Sequence, residues 1–227
     1  MADLRRHQLA KLTGGGWRIV LERQWDTQAC ECLEHWAARG LPLVVTRQAT
    51  NSSADGSVAL GLSAPSRWGR RKLAVRVPGE EVLEFGDFPY LGELLGTLPS
   101  HAYGPMHRLT EELEQYEAPA RVFGSYGWQA ISGCDHVRAG SDLDLAVPVE
   151  GAEHADAIAD LLHCCGDTSP RLDGELIFGN GAAVAWREWR AWRAGRAQAV
   201  LVKQLDGVSL QRDALWCGRR GSVEAVS

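Results

Sequence analysis

Two aspartates one residue apart, Asp142 and Asp144, stand in the segment SDLDL. In a strand that spacing sets both carboxylates on one face, roughly 6 to 7 Å apart, and turns Leu143 and Leu145 to the other. Strands are depleted in Asp, and two like charges side by side repel, so the pair calls for a cation or for protons to offset it. Mg2+ or Mn2+ would suit it. Such an ion takes oxygen ligands from one or two carboxylates and leaves its remaining positions to water and substrate phosphates. The plain alternative is a solvated polar face on an edge strand.

Sixteen residues separate Ser125 from Asp142. The pair Gly124-Ser125 follows a short apolar run and precedes a helical stretch, where unpaired backbone N–H groups and the positive dipole end favour a phosphate. Glycine lets the backbone come close and the serine hydroxyl adds a hydrogen bond, although the same pair also serves ordinary turns. Downstream, RLDGELIF offers a third acid, either Asp173 or Glu175, alternating with Leu172, Gly174 and Leu176. Lys203 closes the run AVLVK, where a point charge could neutralise a phosphate or stand in water.

A Gly-Ser pair ahead of D-x-D and a later strand acid resembles the nucleotidyltransferase superfamily of the DNA polymerase β type, with a longer interval between Ser125 and Asp142 than is usual there. The stretches GSYGWQAISG, SDLDL, LDGELIF and AVAWREW, with RRHQL near the start, resemble a narrower group. This is the malonate decarboxylase holo-acyl-carrier-protein synthase family, also called phosphoribosyl-dephospho-CoA transferase. The likeness covers most of residues 116–205 and thinly the N-terminal part. It implies transfer of the phosphoribosyl-dephospho-CoA group from its triphosphate precursor, triphosphoribosyl-dephospho-CoA, onto a serine of the acyl-carrier subunit of malonate decarboxylase, with release of pyrophosphate. In that reading Asp142 and Asp144 bind the metal and Gly124 and Ser125 hold the triphosphate. Asp173 or Glu175 then deprotonates the acceptor serine or binds a second metal. Two other readings stand beside it: a nucleotidyltransferase using ATP or another nucleotide on a different acceptor, and a non-catalytic nucleotide-binding module. The intact Ser125, Asp142 and Asp144 speak against the last.

These side chains need a scaffold, and the pattern predicts an α/β (α+β) chain. Residues Thr27 to Arg39 place Ala29, Cys32, Leu33, Trp36 and Ala37 at helical spacing, with Gly40 and Pro42 as the stop. LPLVVTRQ, SVALGLSA and KLAVRVPG read as strands, with NSSADG as a loop between the first two. A helical zone over Leu91–Leu98 and Met106–Tyr116 is expected to break at PSHAYGP, near a domain border. The expected division is a small α/β N-terminal domain over 1–100, for carrier-protein or substrate recognition, and a nucleotidyltransferase-like catalytic domain over 101–227. The second half reads as strand (Ala120–Phe123), turn, short helix, strand (Leu143–Val147), and helix (Ala152–Cys164). Strands at Glu175–Gly179, Ala182–Trp186 and Ala199–Lys203 follow, forming a mixed sheet with flanking helices.

Composition bounds the rest. With 227 residues, 45% hydrophobic and 23% charged, the chain can bury one large core or two small ones. A net charge of -5 argues against a protein that tracks a nucleic-acid backbone. No window approaches the ~20 apolar residues of a membrane helix, so the reading is cytoplasmic, with no membrane partner. Six scattered cysteines with no C-x-x-C pair read as structural thiols. In WREWRAWR the tryptophans read as core, with an Arg and Trp face for the carrier subunit as the alternative. Arg70, Arg71 and Lys72 read as a solvated edge.

Overall fold

A computed structural model describes residues 4–48, 56–166 and 168–217. The loop expected at NSSADG, Gly56 apart, lies outside the described residues. Along the chain run β1 (Leu9–Leu12), α1 (Gly14–Leu21), α2 (Thr27–Ala38), β2 (Leu43–Val45), β3 (Ser57–Ser63), β4 (Lys72–Pro78) and β5 (Val82–Gly86). Then come α3 (Leu91–Leu94), α4 (Ser100–Gln115), β6 (Arg121–Phe123), α5 (Gly124–Ser132), β7 (Leu143–Val149) and α6 (Ala152–Cys164). The described part ends with β8 (Leu172–Phe178), β9 (Ala183–Ala185), α7 (Trp186–Arg193), β10 (Val200–Lys203) and β11 (Val208–Gln211). No helix among the described residues is long and apolar enough to cross a membrane.

The chain forms two compact units, one of Met1–Pro89, Phe123–Ala139 and Leu205–Gly207, the other of Tyr90–Val122, Gly140–Gln204 and Val208–Ser227. In the first, a five-stranded sheet in the order β4-β3-β2-β1-β5 is antiparallel at every pairing. Its inner face carries Leu43, Leu60 and Val75 into a core completed by Leu33 and Trp36 of α2. Helix α2 forms because Ala29, Cys32, Leu33 and Trp36 recur on one side, while Asp26 accepts a hydrogen bond from the Ala29 N–H at 3.0 Å as its cap. Gly40, at φ 59°, ends it. Trp128 of α5 enters the same core, its ring 5.4 Å from that of Phe88 and 6.4 Å from that of Trp36. Of the basic run on this unit, Arg71 pairs with Asp26 and Arg70 donates to Ser66, while Lys72 lies exposed on β4.

The second unit is built on the six-stranded sheet ordered β11-β10-β9-β8-β7-β6. Strands β7 and β8 are parallel, whereas β8-β9, β9-β10 and β10-β11 are antiparallel, which makes the sheet mixed as expected. The crossover between β7 and β8 is α6, which buries Ala155, Ile158, Ala159 and Leu162. Helix α7 lies along α6, with Arg190 paired to Asp160 and Arg193 to Asp156. Trp186 and Trp189 are buried, and Trp189 donates to Asp156 at 2.9 Å. Trp186 and Trp189 of WREWRAWR therefore supply core, Trp192 is only half-buried, and two of its arginines are held by α6.

Three expectations need correction. The break expected across PSHAYGP is confined to its first residue: Pro99 stays extended, and α4 then runs from Ser100 through Pro105 to Gln115, burying Ala102, Met106, Leu109 and Leu113 on one stripe. That apolar stripe offsets the single backbone bond that proline removes near the start of a long helix. The strand expected over Ala182–Trp186 is only β9, because Trp186 already begins α7. Finally the sheets hold three strands beyond those expected, β1, β5 and β11.

Candidate active site

The start of the parallel pair β7-β8 gathers the acids. The register sets Leu143 opposite Leu172, Asp144 opposite Asp173, Leu145 opposite Gly174 and Ala146 opposite Glu175. Leu143, Leu145 and Val147 turn into the core, as do Leu172, Leu176 and Phe178. Alternation then puts Asp144, Asp173 and Glu175 on the other face. Asp142 stands one residue before β7. This close pairing depends on Gly174, whose φ is 138° and whose missing side chain would overlap the Leu145 backbone.

Each carboxylate has a distinct environment. Asp144 is pushed up to about 6 by burial first, then by the charges of Asp173, Asp142 and Glu175, with Arg171 opposing them. Asp142 is held below the usual carboxylate range, chiefly by hydrogen bonds from Arg171, whose Nε donates to Oδ1 at 2.9 Å and Nη2 to Oδ2 at 2.5 Å. Asp173 accepts from the Gly174 N–H at 2.9 Å and keeps a 39% exposed side chain. Glu175 is 7% exposed and accepts a hydrogen bond from Lys203 Nζ at 2.7 Å.

The second unit thus brings together five of the seven residues singled out in the sequence: Asp142, Asp144, Asp173, Glu175 and Lys203. Gly124 and Ser125 belong to the first unit, where they open α5. Gly124 has φ 62°, a conformation that favours glycine, and no side-chain cap closes the helix start at Phe123. Sequence reasoning missed Arg171. Its signal was its place immediately before LDGE, one residue outside the strand that carries the acids.

The donor set suits a hard cation. Asp142, Asp144 and Asp173 offer carboxylate oxygens, and Asp144 is raised by burial first and then by the neighbouring acids, a charge repulsion that a cation would relieve. Among the described residues no group of three His, Cys, Asp or Glu side chains forms a ready metal cage. A Mg2+ site built from one or two carboxylates plus substrate phosphates needs none.

An α/β protein with an acidic strand pair at the head of a mixed sheet is the class these features define, and comparison with known proteins narrows it. Residues 5–88 match the phosphoribosyl-dephospho-CoA transferase MdcG N-terminal domain, and residues 90–214 match the phosphoribosyl-dephospho-CoA transferase MdcG C-terminal domain. A phosphoribosyl-dephospho-CoA transferase of Bradyrhizobium diazoefficiens is 33% identical over 219 residues, covering 96% of this chain and 94% of that protein. Proteins of the same name from Xanthomonas campestris pv. campestris and Xanthomonas euvesicatoria pv. vesicatoria are 34% and 37% identical, over 78% and 75% of this chain and 82% and 78% of theirs. No solved structure matches the chain. The chain belongs to the phosphoribosyl-dephospho-CoA transferase family and is a transferase.

Proposed function

We propose that the chain moves the phosphoribosyl-dephospho-CoA group from triphosphoribosyl-dephospho-CoA to a serine of the acyl-carrier subunit of malonate decarboxylase, releasing pyrophosphate. The observation that carries this reading is the register of β7 and β8, which sets Asp144 beside Asp173 with Asp142 next to them, in a chain of this family. Asp142 and Asp144 hold Mg2+ or Mn2+. Such a cation, when bound, neutralises charge on the phosphates and on the departing pyrophosphate. The serine oxygen forms its bond to the α-phosphorus as the bond to pyrophosphate breaks. Asp173 takes the serine proton, being exposed enough to meet a substrate, whereas buried Glu175 is engaged by Lys203. That engagement makes Lys203 a support for the cluster as well as a nearby positive charge for phosphate. Gly124 and Ser125 hold the triphosphate through the uncapped start of α5. The first unit recognises the donor or the carrier protein.

The test is a transfer assay with Mg2+, the purified carrier subunit and either triphosphoribosyl-dephospho-CoA or ATP, read by mass spectrometry of the carrier. A mass gain from the first donor alone is expected; a gain from ATP alone overturns the reading in favour of another nucleotidyltransferase. Asp142→Asn with Asp144→Asn should leave a folded protein that cannot transfer. Asp173→Asn should slow transfer about 10²- to 10⁴-fold, the usual contribution of a general base.

A further inference from the structure

Leu143 N–H donates to the Arg171 carbonyl at 2.9 Å, which brings the ends of β7 and β8 together and lays the Arg171 side chain beside Asp142. The guanidinium fork engages both oxygens of Asp142, and its Nη2 also lies 4.0 Å from Asp173 Oδ2. A single arginine thus reaches two of the three carboxylates to which metal binding and proton transfer are assigned. Its charge is permanent, because a guanidinium does not deprotonate in a protein. A divalent cation that approaches Asp142 alone therefore meets a positive charge already bonded there.

The pair is also open to exchange. Arg171 is 59% exposed and Asp142 28%, and ion pairs so placed in water hold weakly. A triphosphate offers the same planar fork a better set of oxygens, since arginine binds phosphate and carboxylate with one geometry. We propose that Arg171 is a positioning residue that keeps the cation from Asp142 until the triphosphate arrives. Phosphate oxygens then take over the guanidinium and the metal takes over the carboxylate. Metal and donor bind in a coupled way, each raising the affinity for the other. The inference rests on the metal-binding reading given above.

The experiment measures Mn2+ binding to the full chain by the electron paramagnetic resonance of the free ion, with no nucleotide present. Arg171→Gln should bind Mn2+ severalfold to about tenfold more tightly than wild type, the range that follows from freeing a carboxylate from an exposed ion pair. Arg171→Lys, which keeps the charge and loses the fork, should fall between. Adding Asp142→Asn to Arg171→Gln should cancel the gain. At saturating Mn2+, Arg171→Gln should raise the KM for triphosphoribosyl-dephospho-CoA more than it lowers kcat. An arginine that merely clasps two strand ends predicts the opposite: lower thermal stability with Mn2+ affinity unchanged or reduced. That result, or an unchanged KM, overturns the proposal while leaving the metal site standing. If neither wild type nor Arg171→Gln binds Mn2+, with or without inorganic tripolyphosphate, the metal site falls and the proposal with it.

Discussion

At the scale of single residues, Asp144 carries a conflict between folding and use. Its carboxyl ionises near 6 in the folded chain and near the ordinary 3.8 once unfolded, because folding buries it among other acids. Below about pH 4 both states hold the proton and the site costs nothing. Between about 4 and 6 the unfolded chain releases the proton while the folded chain keeps it, so stability falls as pH rises, and above 6 the loss is complete. Asparagine has no proton to release. In EDTA, Asp144→Asn should therefore be more stable than wild type by up to about 3 kcal/mol at pH 8, with the gain shrinking to nothing near pH 4. Urea denaturation at several pH values measures this, and a variant no more stable than wild type at pH 8 would show that Asp144 is not under that pressure. Stability given up at a site that needs a concentrated charge is a common trade in enzymes.

At the scale of elements, the site depends on how closely β7 and β8 approach. Gly174 permits that approach at the position where a side chain would overlap the Leu145 backbone. Gly174→Ala should cost roughly 3 kcal/mol or more and abolish transfer, since any relief shifts Asp173 away from Asp144. A melting temperature within a degree or two of wild type would contradict this.

The same pair of strands shows what a sequence can reveal. The alternation of Asp142 and Asp144 with leucines needs only the two-residue period of a strand, so the acidic face is readable from five letters. The proposed choice of Asp173 over Glu175 draws on the register across a thirteen-residue crossover helix and on the partner that Lys203 brings from β10. Arg171 is hidden for the same reason, because its partner lies 29 positions away in the chain. Helices α2 and α6 were legible because their apolar stripes are long and regular. Helix α1 was not, since it opens on Gly14-Gly15-Gly16, residues that weaken a helical pattern. Yet Thr13 caps it, and a side chain at Gly15 or Gly16 would crowd Glu81, so those glycines serve close packing.

At the scale of the whole molecule, the sequence families and the compact units divide the chain differently. The two family matches meet between residues 88 and 90, as if one cut would separate two folds. The chain instead returns to the first unit for Phe123–Ala139 and again for Leu205–Gly207. Helix α5 is the clearest case. It lies within the C-terminal match, yet its Trp128 is 4% exposed in a core built with Trp36 and Phe88 from the N-terminal match. His136, downstream of α5, stacks on Trp128 and meets Trp36 edge-on in the same place. A fragment of residues 90–227 loses those partners and must expose an aromatic surface that the intact chain buries. It should bind a hydrophobic dye such as ANS, show tryptophan emission shifted to the red, and fail to transfer even with the carboxylate cluster intact. Adding residues 1–89 as a separate chain should restore the emission at least in part, because the core of the first unit then has all of its pieces. A 90–227 fragment with unshifted emission and no dye binding would mean that α5 stands without the first unit's sheet.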